Sequence, residues 1–355
     1  MHSSTSSSDS AIPRGPTGAY LILSAALFLT LMGVTEFFWR FQGHSPSIAE
    51  DYAHWCLERE RIYDGNPNTV VLLGHSRMQV IDSDSFAQAC PGYTLVQLAT
   101  SGKDPLAVLR DLAADSQFVG TVICAVSDRA FTPDEHDASD YVRHYHESWT
   151  LNAKLNRQIA TLLQWRLASL NPRVGLTSVV TSLREMHGLP KPLYAIRMPS
   201  RQVRVDFSSP SIANRLIEDP DLDPRTDGYD IPPPDHRPVS AEVWLKYASE
   251  YDRLASQIVA RGGSVAFVVL PISGTTLTTA HAYYPRGAYW DRFASESSAV
   301  ALHFEDVPAL MACRTPDTSH VDAVDAPKLT RLLVEVLKER GLFDKKNSPA
   351  ASASR

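Results

Sequence analysis

Short, unbroken apolar runs recur along this chain where alternating ones would mark half-exposed strands. Thr69-Val-Val-Leu-Leu73, ended by Gly74, is the first. Thr94-Leu-Val-Gln-Leu98, Phe118 to Val126, Ser264-Val-Ala-Phe-Val-Val-Leu270 and Ala299 to Phe304 follow. Runs of this kind suit strands buried on both faces. Between them the apolar period lengthens to that of a helix. DPLAVLRDLAAD begins with Asp104 as N-cap and Pro105 at the first helical position. A later helix places Trp244, Tyr247, Tyr251, Leu254 and Ile258 at steps of three and four and ends at Gly262-Gly263. The last helix, capped by Asp325, turns Leu329, Leu332, Leu333, Val336 and Leu337 inward and stops at Gly341. Strands alternating with helices predict an α/β fold, a parallel sheet sandwiched between helices, with sites at the carboxyl ends of the strands. The alternation pauses at about residues 138–238 for an insertion: a long helical region from about Tyr141 to Leu170, ended by Asn171-Pro172, then a Pro/Asp-rich stretch from Leu189 to Pro238.

Ahead of this pattern lies a different one. Residues 1–18 are Ser-rich with Pro13 and Pro16, and bury too little apolar surface to order themselves. Residues 19–39, AYLILSAALFLTLMGVTEFFW, carry one charge, Glu36, near one end. At about 1.5 Å per residue such a run crosses a hydrocarbon core of about 30 Å. A cleaved signal peptide and a buried core helix are the alternatives. The run exceeds an ordinary signal h-region and ends in Phe37-Phe38-Trp39 with Arg40, an interfacial belt rather than a small-residue cleavage site. It therefore reads as a single-pass anchor in a bacterial inner membrane. Arg14 on one side against Arg40 and Arg59 on the other leaves the charge rule almost silent; a single N-terminal anchor is commonly a signal-anchor and the segment from Glu50 is acidic, so the C-terminal domain is expected outside the cytoplasm, in the periplasm. Residues 40–65 form a polar juxtamembrane segment, 66–341 the α/β domain, and 342–355 a second disordered tail.

Composition narrows the function. With 355 residues, 44% hydrophobic and 21% charged, the chain is globular. A net charge of -6 without a basic stripe argues against a nucleic-acid partner. Cys56, Cys90, Cys124 and Cys313 show no C-x-x-C spacing, so no zinc or redox site is expected; Cys56 with Cys90 is the disulfide to test, and Cys124 reads as a core residue.

The candidate chemistry begins at Ser76. Gly74-His75-Ser76-Arg77 follows the first strand directly, so a tight turn would lift the serine hydroxyl into a crevice, the position of a nucleophile. A turn or N-cap serine is the alternative. A second feature weighs for the nucleophile: in the loop Thr315 to Asp322, Asp317 and His320 stand three apart, so the carboxylate can hold one imidazole nitrogen while the other takes a proton from serine.

On these residues the chain resembles the SGNH, or GDSL-like, hydrolase superfamily over about residues 66–341. Gly74-His75-Ser76 looks like the family's first block, Asp317 to His320 its last, and Gly102 in Ala99-Thr100-Ser101-Gly102 its oxyanion-binding glycine. The resemblance implies a flavodoxin-like three-layer fold and a catalytic set of Ser76, Asp317 and His320, with Ser76, Gly102 and Ser127 around the oxyanion. The third block departs from the family, since Ala125-Val126-Ser127-Asp128 lacks the expected asparagine. Losing one such donor costs on the order of 10²–10³ in rate. A degenerate third block behind an N-terminal anchor is similar to SGNH-like proteins that acylate envelope polysaccharides beside a multi-spanning membrane acyltransferase. The resemblance thus implies a serine O-acetyltransferase or esterase needing no cofactor or metal, the alternative being a catalytically idle domain that binds polysaccharide or scaffolds the acyltransferase.

Arg77, Tyr284 and Trp290 are candidate substrate contacts, the aromatics by stacking on sugar rings; their alternative is plain loop packing. Asp219-x-Asp221-x-Asp223 fails as a calcium loop because Pro224 replaces the glycine and Asp230 the glutamate. His144 and His146, two apart on a helix, diverge, and His75 is too close in sequence to serve Ser76 as base.

Overall fold

The computed structural model describes residues 17–63, 68–127, 137–185, 187–192, 194–208 and 238–344. Five strands make the central sheet: β1 (Thr69–Leu73), β2 (Thr94–Gln97), β3 (Thr121–Ala125), β6 (Ser264–Val269) and β7 (Val300–His303). Their order is β2-β1-β3-β6-β7, and every pairing is parallel. Each expected apolar run became a strand, β1 with its expected bounds and the other four shortened at one or both ends by one to three residues. β1 and β3 are buried along their whole length, as strands covered on both faces must be.

The sheet is covered by helices that pair with one another: α4 (Ser83–Ala89) with α13 (Ala326–Glu339), and α5 (Leu106–Ala114) with α9 (Ala241–Ala260). The α9 stripe buries Trp244, Tyr251, Leu254 and Ile258; α13 buries Leu329, Leu333 and Leu337 and leaves Leu332 and Val336 half-buried. α5 starts one residue later than expected. Pro105 is its N-cap, and Asp104 sits outside, its Oδ1 accepting from the Leu106 N–H and the Tyr251 hydroxyl. Asp325 caps α13 without a side-chain bond to the helix, because its carboxylate accepts from Arg314.

The insertion differs most from its sequence reading. The long helical region is two helices, α6 (Ser139–Glu147) and α7 (Leu151–Arg166), with Thr150 capping the second. A 3₁₀ turn at Ala168–Leu170 leads to α8 (Leu176–Glu185). The Pro/Asp-rich part contains a two-stranded antiparallel ribbon, β4 (Ala195–Arg197) with β5 (Val203–Val205). Arg201 in its turn is fully buried and donates to Glu50, which Arg197 also engages. Residues 209–237 of that stretch, including Asp219 to Asp230, lie outside the described residues, as do residues 1–16 and 345–355 of the two tails.

The apolar N-terminal run is one helix, α1 (Thr17–Phe41), and Gly18–Phe41 is long and apolar enough to cross a membrane. Its last turns are docked on the domain. Glu36 accepts from the Ala168 and Ser169 N–H groups and from Arg40, Arg40 also donates to the Arg166 carbonyl, and Trp39 is buried edge-on against His44. Glu36, the one charge near the end of the apolar run, is the acceptor that ties α1 to the insertion.

All four cysteines are free thiols, buried singly in the core, so the Cys56–Cys90 disulfide does not form. Each fills space as a small apolar side chain, and burial pushes the Cys56 thiol up to about 12. His144 stacks on Tyr52 and His146 Nε2 contacts Asp111, two separate partners.

Candidate active site

Sheet order reverses between β1 and β3, the place where an open parallel sheet leaves a crevice beyond its strand ends. β1 delivers Ser76 there. Gly74 makes the turn with φ of +136°, and a Cβ on it would lie 2.8 Å from both the Cβ and the carbonyl oxygen of Ala125 at the end of β3. Glycine thus permits both the conformation and the close approach of the two strand ends. The chain then enters the short helical turn α3 (Ser76–Gln79), N-capped by His75, whose Nδ1 accepts from the Arg77 N–H. His75 is spent on that cap, while Ser76 is left half-buried with its hydroxyl toward the crevice side of the loop carrying Asp317 and His320.

His320 Nε2 lies 2.8 Å from Ser76 Oγ, and His320 Nδ1 lies 2.7 Å from Asp317 Oδ2. The second Asp317 oxygen accepts from the backbone N–H groups of Ser319 and His320, so the carboxylate is held at both ends. Burial alone would raise the Asp317 carboxyl, but the bonds from the His320 ring and from the two backbone groups outweigh it and hold it below the usual carboxylate range. An ionised Asp317 fixes the proton on His320 Nδ1 and leaves Nε2 as the acceptor facing serine.

This compact arrangement needs an unusual backbone. Thr318, between the acid and the base, has φ of +66°, a left-handed conformation that disfavours a β-branched residue. It is held by three neighbours. Its carbonyl accepts from the Ser273 N–H, its hydroxyl bonds Thr276 Oγ1 at 2.6 Å, and Thr315 Oγ1 bonds Ser273 Oγ at 2.7 Å. The loop after β6 and the helix α10 (Gly274–Tyr283) thereby clamp the Asp317–His320 loop from behind.

The remaining candidates fall in different places. Gly102, exposed with φ of +66°, follows β2 in a turn that Gln79 and Gln97 brace. Gln79 donates to the Ala99 carbonyl and accepts from Ser101 Oγ; Gln97 donates to the Met78 carbonyl and accepts from the Ala99 N–H. Ser127 is half-buried two residues beyond β3, and Asp128 lies outside the described residues. Arg77 points inward, buried, with Nε donating to Ser319 Oγ at 3.0 Å, so it braces the acid–base loop instead of reaching a ligand. Tyr284 and Trp290 are also corrected: both are buried, Tyr284 edge-on to Tyr289 and Trp290 against Phe293 and His303. Both aromatic side chains join the core cluster that also holds Ile272, Phe293 and Phe304.

Thr318, Ser319 and the Gln79–Gln97 pair carry structural roles that the sequence reading missed. Gln97 had a visible signal, a polar residue inside an otherwise apolar strand. Thr318 had none, since a left-handed threonine is invisible in sequence.

No family model matches this sequence, and no curated protein matches it. Among solved structures, one titled "Crystal Structure of TesA" is similar over 77% of this chain and 99% of its own, at 13% identity and a TM-score of 0.34.

Proposed function

We propose that this protein is a serine acyl-transfer enzyme of SGNH-like type, an esterase or O-acetyltransferase, held at the membrane by α1. The observation that carries the proposal is the continuous chain from Ser76 Oγ through the His320 ring to Asp317, with links of 2.8 and 2.7 Å. Ser76 attacks the ester carbonyl while His320 Nε2 takes the hydroxyl proton. Asp317 stabilises the imidazolium, and His320 returns the proton to the leaving alcohol. An acyl-Ser76 ester results. Water or a sugar hydroxyl then attacks it with His320 again as base. The N–H groups of Ser76 and Gly102, with the Ser127 hydroxyl in place of an asparagine, are the donors assigned to the oxyanion.

The acetyl ester of an envelope polysaccharide as substrate, a multi-spanning acyltransferase as partner and a periplasmic domain belong to this proposal through the resemblance noted from the sequence. The docked end of α1 supports an anchor that is retained: cleavage before Phe41 would strip Trp39 from its buried site and leave the Ala168 and Ser169 N–H groups without Glu36. A second reading, an idle polysaccharide-binding or scaffolding domain, is favoured by one observation, the serine at position 127.

A fluorophosphonate probe separates the two. Wild type labels and hydrolyses p-nitrophenyl acetate; Ser76→Ala does neither. An unlabelled wild type that turns over no acetyl ester sinks the enzyme reading and leaves the idle one.

A further inference from the structure

The insertion carries two helices whose polarity is inverted. On α7 the residues turned to the domain are polar: Arg157 and Thr161 are buried, and Gln164 accepts from the Ala49 N–H. Its leucines face outward, with Leu155, Ile159 and Leu162 all more than half exposed. α8 repeats this. Ser182 is its buried residue, whereas Leu176, Val180 and Leu183 stand out at steps of four and three, Leu176 at 81% exposure. Helices on a water-facing surface put these residues inside, so a contiguous outward apolar face needs something to cover it.

Three observations identify the cover. The 3₁₀ turn Ala168–Leu170, which Glu36 caps, lies in the link between the end of α7 at Arg166 and the start of α8 at Leu176, so both helices run from the place where α1 meets the domain. The part of α1 beyond that point is itself uncovered along its apolar length. From Leu151 to Glu185, α7, α8 and the link between them carry Lys154, Arg157, Arg166, Arg173 and Arg184 against a single acidic residue, Glu185 at the end of α8, within a protein of net charge -6. Arg166, Arg173 and Arg184 are exposed beside the apolar faces. Outward aliphatic side chains rimmed by arginine are the chemistry of a helix lying in the headgroup–acyl boundary of an anionic bilayer.

We infer that α7 and α8 form a second membrane contact, lying in the interface of an anionic bilayer around the exit of α1. This rests on the reading of α1 as a membrane span. The two helices and the span then hold the α/β domain at three places on one plane, with its orientation fixed.

The test uses the full chain in nanodiscs of phosphatidylcholine with phosphatidylglycerol. Single cysteines replace Leu155, Leu176, Leu29 in α1, or Val324, which is 72% exposed on the α/β domain. The four native thiols are buried and stay unlabelled under native conditions. An NBD label at Leu155→Cys and Leu176→Cys is expected to shift to the blue and to be quenched by nitroxide lipids to an extent comparable with Leu29→Cys. Val324→Cys stays unquenched. A water-like spectrum at 155 and 176 beside a quenched position 29 overturns the second contact and leaves the anchor standing. A blue-shifted label that nitroxide lipids do not quench assigns the face to a protein partner or a second copy, and overturns the lipid assignment. An unquenched position 29 overturns the anchor itself.

Discussion

Gly74 controls how closely the strand end bearing Ser76 approaches β3. Alanine there puts a Cβ at 2.8 Å from the Ala125 backbone oxygen and asks a non-glycine residue to hold φ of +136°. Gly74→Ala is expected to destabilise the domain by about 2–4 kcal/mol and to abolish Ser76 labelling, read by urea denaturation and by the fluorophosphonate probe. Asp317 gives a prediction with a pH signature. Its carboxyl, ordinarily near 3.8, is depressed in the folded protein, so the folded state gains from its ionisation. That stability is complete above the ordinary value and disappears as pH falls through the lower folded value. Asp317→Asn is expected to lose about 10³–10⁴ in turnover at neutral pH with the fold kept, since the histidine tautomer is no longer fixed. The stability gap between wild type and variant, followed by thermal melts, closes below pH 3.8. A gap that persists there removes Asp317 as its source.

At the scale of elements, the loops behind the serine are set by buried polar pairs. Gln97→Leu leaves the Met78 carbonyl and the Ala99 N–H without that partner; the expected cost is about 1–3 kcal/mol, with slower probe labelling because α3 and the Gly102 turn lose their common brace. His54, in α2 (Tyr52–Glu60), ties the β4–β5 turn to the domain by donating from Nε2 to the Pro199 carbonyl. Burial first, and then the Arg201 charge, push it from an ordinary 6.5 down to about 3. The unfolded chain therefore takes up a proton that the fold refuses, and stability falls as pH drops from about 6.5 to 3, at no more than about 1.4 kcal/mol per pH unit. His54→Phe flattens that part of the acid-unfolding curve; an unchanged slope would exclude His54 as its cause. What could be read from sequence follows the same division. β1, β3 and β6 were legible because a strand buried on both faces must be apolar throughout, and Asp317 with His320 because their partnership spans three residues. The β4–β5 ribbon was not, since its buried Arg201 meets Glu50 from 151 residues away. Tyr284 and Trp290 were misplaced for a related reason: an aromatic side chain has the same sequence signature whether it lines a crevice or fills the core.

For the whole molecule, the expectation is that the full chain sediments with membranes, resists alkaline carbonate extraction and keeps its N-terminal residues by mass spectrometry. A soluble form with a shortened N-terminus excludes the anchor. The apolar run showed a helix long enough to cross a membrane, but not how it ends, because nothing local to Glu36 and Arg40 reveals that their partners are residues 166, 168 and 169. That junction matters for reach. A catalytic head on a loose stalk sweeps a volume set by the length of its tether, and its effective concentration toward any acceptor falls as that volume grows. Glu36 and Arg40, bonded to the head they carry, leave no stalk at all. If α1 spans a bilayer and Ser76 is the nucleophile we propose, Ser76 is held at one fixed height above the membrane. Acceptors must come to it, either rising out of the membrane beside α1 or handed over by a neighbour in the same plane.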